Sequence, residues 1–228
     1  MSIRERVDRE PRPGVRTFTP RWRTSPLTQE RIDTVLPHHQ IPDGELVPQR
    51  AFGRVAPVVL EIGSGHGGAA LAFAAAHPEV DLLAAEVHVP GVVRMLARAQ
   101  ESGLTNVWVE RGDALPLLRE RIAPASLAAV HLFFPDPWPK NKHAKRRLIQ
   151  QHTLTLIASR LAPGAPLLIA TDHAIYAGHV REQLAVHGGW DVVEGERPAW
   201  RPTDGFEDKG MRAGRTIHDF RATPRPLA

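Results

Sequence analysis

From Val58 onward, hydrophobic positions along the chain fall into two alternating textures. Short runs with few polar positions, VVLEI, DLLAAE, VWVER, LAAVHLFF and APLLIAT, predict strands buried on both faces. Between them AALAFAAAH, VVRMLARAQES, ALPLLRE and RRLIQQHTLTLIASRLAPG have helical spacing, and the first of these stops before Pro78. Strand and helix in strict alternation predict an α/β fold, a doubly wound and mostly parallel sheet covered by crossover helices. After Thr171, AIYAGHVREQLAVHG predicts an amphipathic helix ended by Gly188 and Gly189. WDVVE and TIHDFRA then predict a closing antiparallel hairpin, its strands joined by the polar loop RPAWRPTDGFEDKGMRAGR. A dinucleotide dehydrogenase would continue with further βα units at this point.

The first 50 residues look different. Pro11, Pro13, Pro20, Pro26, Pro37, Pro42 and Pro48 interrupt them and apolar periodicity is weak, which predicts an N-terminal arm over residues 1–50 with one short helix around Gln29 to Leu36. The α/β domain is expected over residues 51–228.

Composition narrows the class. With 228 residues, 42% hydrophobic and 24% charged, the chain can bury the core of one large domain. No apolar run approaches the ~20 residues of a membrane span, and MSIRERVDRE lacks the apolar stretch of a signal peptide, so a soluble cytoplasmic protein with no membrane partner is expected. Zero Cys excludes disulfides, thiolate metal sites and a Cys nucleophile. The 12 His form no H-E-x-x-H pattern or close ligand cluster, so no metal is expected, and Ser64 lacks the G-x-S-x-G context of a hydrolase.

Charge adds a partner. Seven Arg against three acids in residues 1–25 account for the whole formal net charge of +4. A second segment, KNKHAKRR at 140–147, carries five cations and no acid. Two basic segments on a neutral body point to a polyanion such as nucleic acid, although solvated surface produces similar runs.

Candidate chemistry begins at the glycines. Gly63, Gly65 and Gly68 fit G-x-G-x-x-G, and Gly63, Gly65 and Gly67 fit G-x-G-x-G, between a strand and a helix, where backbone can approach a cofactor. Either spacing admits a nicotinamide dinucleotide or S-adenosylmethionine. Glu86, about 20 residues on, can accept the ribose hydroxyls of either. Glu61, just before the glycines, would oppose a pyrophosphate but suits an ammonium and a sulfonium. Asp113, in RGDA, can accept from an adenine amino group or cap the next helix. FFPDPWPK places Asp136 at the same crevice, on a backbone stiffened by Pro135, Pro137 and Pro139, with Trp138 as a stacking surface.

Together, EIGSGHG, AAEVHVPGV, SGLTNVWVERGDA, FFPDPWPKNKHAKRR, ATDH and RPTDGFEDKGMRAGRTIHDF resemble, in order and spacing, the tRNA (guanine-N7)-methyltransferase family over about residues 58–221. A weaker likeness lies in RTFTPRWRTSPLTQ at 16–29. The resemblance implies a class I methyltransferase fold, tRNA as partner, and S-adenosylmethionine held by Glu61, Gly63, Gly65, Glu86, Asp113 and Asp136. It further implies Asp136 as the catalytic residue, and Lys140, Asp172, Asp204, Gly205, Phe206 and Glu207 as substrate-binding residues. Where the family commonly has Thr-Lys-Phe-Glu, this chain has Asp204, Gly205, Phe206 and Glu207, so the Thr and Lys contacts are absent or replaced.

Guanine N7 has a lone pair and no proton, so its methylation needs alignment and no general base, and Asp136 is expected to orient and stabilise charge. The resemblance implies position 46 of the variable loop as the target. Asp172 and Glu207 are expected to accept from the guanine N1–H and amino edge. Competing expectations are an exocyclic-amine methyltransferase, disfavoured by the single Pro between Asp136 and Trp138, and a non-catalytic RNA-binding module, disfavoured by acids at four strand ends. A nicotinamide dehydrogenase is disfavoured by Glu61 and the closing hairpin. Monomer and homodimer both fit the sequence.

Overall fold

The structure, a computed structural model, describes residues 25–203 and 205–226. The arginine-rich part of the expected arm and the expected substrate residue Asp204 lie outside the described residues. Among the described residues seven strands form one sheet: β1 Val58–Ile62, β2 Asp81–Glu86, β3 Val107–Arg111, β4 Leu127–Phe133, β5 Leu167–Thr171, β6 Trp190–Glu194 and β7 His218–Pro224. Their order is β3-β2-β1-β4-β5-β7-β6, with β1 to β5 parallel and β7 antiparallel to both of its neighbours. The helices are α1 Pro26–Thr34, α2 Pro48–Phe52, α3 Gly68–Ala76, α4 Val89–Glu101, α5 Ala114–Glu120, α6 Gln151–Arg160, α7 Ala174–His187 and α8 Gly205–Arg212.

Successive strand residues face opposite sides, and both sides are covered. Leu60, Leu83, Val130 and Ile169 pack with Leu118, Leu154, Ile157 and Val180 of α5, α6 and α7. Val59, Leu82 and Val109 pack with Ala70, Phe73, Met95 and Leu96 of α3 and α4. Every position of β1 and β2 is buried, which is why their sequences show little polar alternation. Strand order reverses between β1 and β4, and the crevice beyond their carboxyl ends is where open α/β sheets bind ligands.

Three sequence expectations change. Helix α1 begins at Pro26 because Ser25 caps it, its hydroxyl accepting from the Thr28 amide at 3.1 Å. Residues 35–53, expected within the arm, are built onto the domain: Ile41 is buried, its amide donates to the Val109 carbonyl at 3.0 Å, and Phe52 packs on Trp108 at 5.3 Å between ring centroids. This stretch covers the β3 edge of the sheet, a long-range pairing that local proline spacing does not reveal. The expected polar loop between the last two strands contains α8, a helix whose only buried positions are Glu207 and Gly210 and which is fixed by the buried charges described below.

Candidate active site

At the reversal point Glu61 of β1 is the register partner of His131 of β4. Glu61 is only 3% exposed, and its Oε2 has no hydrogen-bond partner among the described residues. His131 Nδ1 lies 3.7 Å away, beyond hydrogen-bond length. A buried carboxylate oxygen left without a donor is a place prepared for one.

The chain leaves β1 through Gly63 and Gly65, whose φ values of 76° and 57° lie in the left-handed region. A Cβ built on either glycine meets no atom within 4 Å, so the loop borders open space at both. Close packing fixes two other glycines: a Cβ at Gly67 would lie 2.2 Å from Met95 Cγ, and one at Gly91 would lie 2.5 Å from the Gly65 carbonyl oxygen. Gly68, the alternative third glycine, opens α3.

Glu86, at the end of β2, accepts the Gly65 amide on Oε2 and the His88 amide on Oε1, each at 2.7 Å. It therefore holds the glycine loop while keeping lone pairs for a further donor. Asp113 caps α5, accepting the Leu115 amide at 2.9 Å, and borders a polar cavity of about 240 Å³ with Glu110, Gly112 and Arg121. Capping and ligand binding, the two expectations for this acid, are compatible in that position.

Beyond β4, Asp136 is exposed on a loop whose backbone takes φ values of 50° at Phe134 and 41° at Trp138, both left-handed and neither at glycine. Such strain persists only when the surroundings impose it. Arg147 imposes it from below: the buried guanidinium donates to the carbonyls of Pro137 at 3.2 Å and Trp138 at 3.0 Å. The Arg146 guanidinium lies 4.7 Å from the Trp138 ring centroid. Within the basic run, Lys140, Lys142 and Lys145 are exposed around the 3-10 turn Asn141–Arg146. Arg147 is the exception to the expectation that the whole run faces a polyanion.

Across the crevice, Asp172 follows β5 and pairs with Arg215 at 2.8 Å. Helix α8 rests on it, since a Cβ at Gly210 would lie 2.8 Å from Asp172 Cβ. Gly205 opens α8, and Phe206 beside it is 66% exposed, with Lys209 Nζ 5.4 Å from its ring centroid. Glu207 faces the other way and is buried. It accepts Arg197 Nε at 2.8 Å on Oε1 and Arg201 Nε at 2.9 Å on Oε2, while Arg201 Nη1 donates to Asp219 of β7 at 2.5 Å. Burial alone would push the Arg201 guanidinium down, but the hydrogen bonds and charges of Asp219 and Glu207 together hold its pKa above the ordinary arginine value. Glu207, expected from the sequence to accept from the guanine edge, has both oxygens engaged by these arginines and anchors α8.

The structure gathers Glu61, Glu86, Asp113, Asp136 and Asp172 at the carboxyl ends of five parallel strands, with the glycine loop among them. A model described as "Putative methyltransferase" matches residues 55–220. The tRNA (guanine-N(7)-)-methyltransferase of Nitrosomonas eutropha is 44% identical over 82% of this chain and 86% of its own. That of Streptomyces coelicolor is 46% identical over 78% and 68%. The chain belongs to the tRNA (guanine-N(7)-)-methyltransferase family.

Among solved structures, 16S rRNA methyltransferase KamB is 15% identical with a TM-score of 0.54, covering 77% of this chain and 91% of its own. A variant of the 16S rRNA (adenine(1408)-N(1))-methyltransferase from Catenulisporales acidiphilia is 16% identical with a TM-score of 0.55, covering 83% and 98%. Both likenesses concern the fold, which is of the class I methyltransferase type. As a member of its family the chain is an S-adenosylmethionine-dependent methyltransferase, and its residues fit that cofactor: an orphaned buried carboxylate at Glu61 and open space at Gly63 and Gly65.

Several residues that build the site carry no usable sequence signal. Arg197 and Arg201 sit in a polar stretch where nothing separates a buried arginine from a solvated one. Arg147 ends a basic run and shares its composition. Gly91 stands in the quoted segment AAEVHVPGV, but its demand arises from contact with a loop 26 positions earlier. Among the described residues no group of three or more His, Asp or Glu is arranged to hold a metal, and no helix is long and apolar enough to cross a membrane.

Proposed function

We propose that this enzyme transfers a methyl group to N7 of a guanine in tRNA, at position 46 of the variable loop. What carries the proposal is Asp136, exposed on a loop held rigid by Arg147, between the carboxylate-lined crevice and the exposed cations Lys140, Lys142 and Lys145. The names of relatives that align over most of their length support the same substrate.

S-adenosylmethionine, when bound, supplies an electrophilic methyl group. Glu61 would hold its ammonium, Gly63 and Gly65 would give it room, and Glu86 and Asp113 would hold its adenosine end. Asp136 completes the cofactor side and orients the guanine. The N7 lone pair needs no proton removed, and the positive charge the base gains is stabilised by the Asp136 carboxylate.

On the substrate side, Lys140 meets phosphate, Phe206 offers a face for base stacking, and Asp172 lies where it can meet the guanine edge. Asp204 and Gly205 stand where relatives of the family have Thr and Lys. Both oxygens of Glu207 are already engaged, so it serves the substrate by fixing α8. The arginines of residues 1–24 contribute to tRNA encounter. The protein acts in the cytoplasm, as a monomer or homodimer, with no metal. Incubation with methyl-labelled S-adenosylmethionine and bulk tRNA, followed by nucleoside analysis, tests the proposal: label in 7-methylguanosine is expected, and label in any other nucleoside rejects it.

A further inference from the structure

Glu61 and His131 share an unusual condition. They are register partners on adjacent strands, each nearly fully buried, and Glu61 Oε2 and His131 Nδ1 face one another at 3.7 Å with no hydrogen-bond partner for either atom among the described residues. Buried polar atoms are almost always paired, so two orphans facing each other call for an explanation. No Lys or Arg pairs with Glu61 among the described residues.

The histidine ring is gripped on several sides. Trp200 stacks on it at 5.2 Å and 26°, Phe73 meets it edge-on at 5.0 Å, and Phe133 lies 5.2 Å away. Glu61 Oε2, by contrast, has no hydrogen bond among the described residues to hold it where it lies. A fixed donor beside a movable carboxylate sets where the carboxylate sits, and closing the gap needs only about 0.7 Å. A carboxylate oxygen has two acceptor sites, so one donor from His131 leaves room for a second.

We propose that His131 is a positioning residue: through Nδ1 it fixes the Glu61 carboxylate for the ammonium end of the cofactor. Trp200 stands next to Arg201, which ties α8 to β7, so the clamp on His131 comes from the segment that also anchors the substrate-side helix. The inference rests on Glu61 receiving the cofactor's amino-acid end.

Calorimetric titration of the full chain with S-adenosylhomocysteine and with 5′-methylthioadenosine separates the two ideas. Both ligands carry adenosine and a thioether sulfur, and only the first has the ammonium. E61Q is expected to lose about tenfold in affinity for S-adenosylhomocysteine, with methylthioadenosine changed less than about twofold. If E61Q keeps its preference, the assignment of Glu61 itself fails.

H131F keeps a ring between Phe73, Phe133 and Trp200 but removes the donor, and the same selective loss of about tenfold is expected. H131N, whose amide nitrogen falls near the place of Nδ1, should recover most of it. E61Q/H131F should bind no worse than E61Q alone, because His131 acts through Glu61. If H131F does not fold, H131Q takes its place, since its amide reaches the place of Nε2 and the selective loss should remain. Wild-type affinity in the donor-less variant, beside a selective loss in E61Q, overturns the role of His131 and leaves Glu61 standing. Equal weakening of both ligands also overturns it, because a merely structural ring would act that way.

Discussion

The guanidinium of Arg147 donates to the carbonyl of Trp138 at 3.0 Å and thereby holds a left-handed, non-glycine residue two positions from Asp136. The exposed carboxylate owes its position to a buried cation. Arg147→Ala should destabilise the protein by about 3 to 6 kcal/mol, the value of two hydrogen bonds from a charged donor. Its larger effect should fall on turnover, about a hundredfold, since small displacements of an orienting group are costly. Affinity for S-adenosylmethionine should fall much less than the rate, since Glu61, Glu86 and Asp113 keep their places. Single-turnover rates beside calorimetric titration check both parts, and an unchanged rate would detach Arg147 from the chemistry.

The exposed cations should behave differently. Reversing charge at Lys140, Lys142 and Lys145 together should weaken tRNA binding and reduce the slope of log affinity against log salt by about 0.7 to 0.9 for each phosphate that is no longer neutralised. Rates at saturating tRNA should stay near the parent value, in contrast to Arg147→Ala. Binding curves at several salt concentrations read the slope directly. A parent slope in the triple variant would mean that these lysines face solvent only.

The contrast between Arg147 and its neighbours shows how far the sequence reaches. Strands announce themselves because each must bury two faces, and the acids Glu61, Glu86, Asp113 and Asp136 are legible because strand ends in such a sheet converge. Orientation within KNKHAKRR is not legible, since burial of one arginine depends on two carbonyls that exist only once the proline loop has folded over it. The same limit hides α8. Its helix is held by ion pairs from Arg197 and Arg201, and no apolar periodicity records them. Ile41 is inconspicuous among prolines because its partner, Val109, lies far along the chain.

Glu86 and Asp113 should differ in degree. Glu86→Gln removes charge from a group that already holds the Gly65 and His88 amides, so it should disturb the glycine loop as well as the ligand. Asp113→Ala removes an α5 cap and one acceptor. Losses of about 1 to 3 kcal/mol in cofactor binding are expected for each, with Glu86→Gln at the upper end. Calorimetry measures the binding, and thermal unfolding separates the capping loss, about 1 kcal/mol, from it.

Glu207 offers a test of whether it touches substrate or holds α8. Glu207→Ala leaves Arg201 buried with one partner fewer, at a cost of about 3 to 5 kcal/mol. For a protein of this size that is a fall in Tm of roughly 6 to 20 °C. Asp219→Asn, which removes the charge of the other carboxylate that Arg201 holds, should lower Tm in the same direction. If Glu207→Ala instead leaves Tm unchanged and raises only KM for tRNA, the carboxylate meets the substrate directly.

The atom that receives the methyl group is open to chemical proof. If Asp136 positions a guanine whose N7 already has a free lone pair, the product carries a fixed positive charge in its imidazole ring. That ring opens in alkali, and after borohydride reduction its glycosidic bond becomes labile. Aniline should then cut the modified tRNA at one guanine, whereas an exocyclic amine methylated in the same crevice would leave the chain intact. Replacing that guanine by adenine should abolish transfer, because an acceptor such as Asp172 would lose the N1–H and amino donors it is placed to meet. Asp136→Ala should bind tRNA about as well as the parent yet turn over slowly, the pattern of a group whose contribution is made at the transition state. Full methyl incorporation with no cleavage would transfer the assignment to amine methylation, and Asp136 would then need to be read as an acceptor for an amino hydrogen.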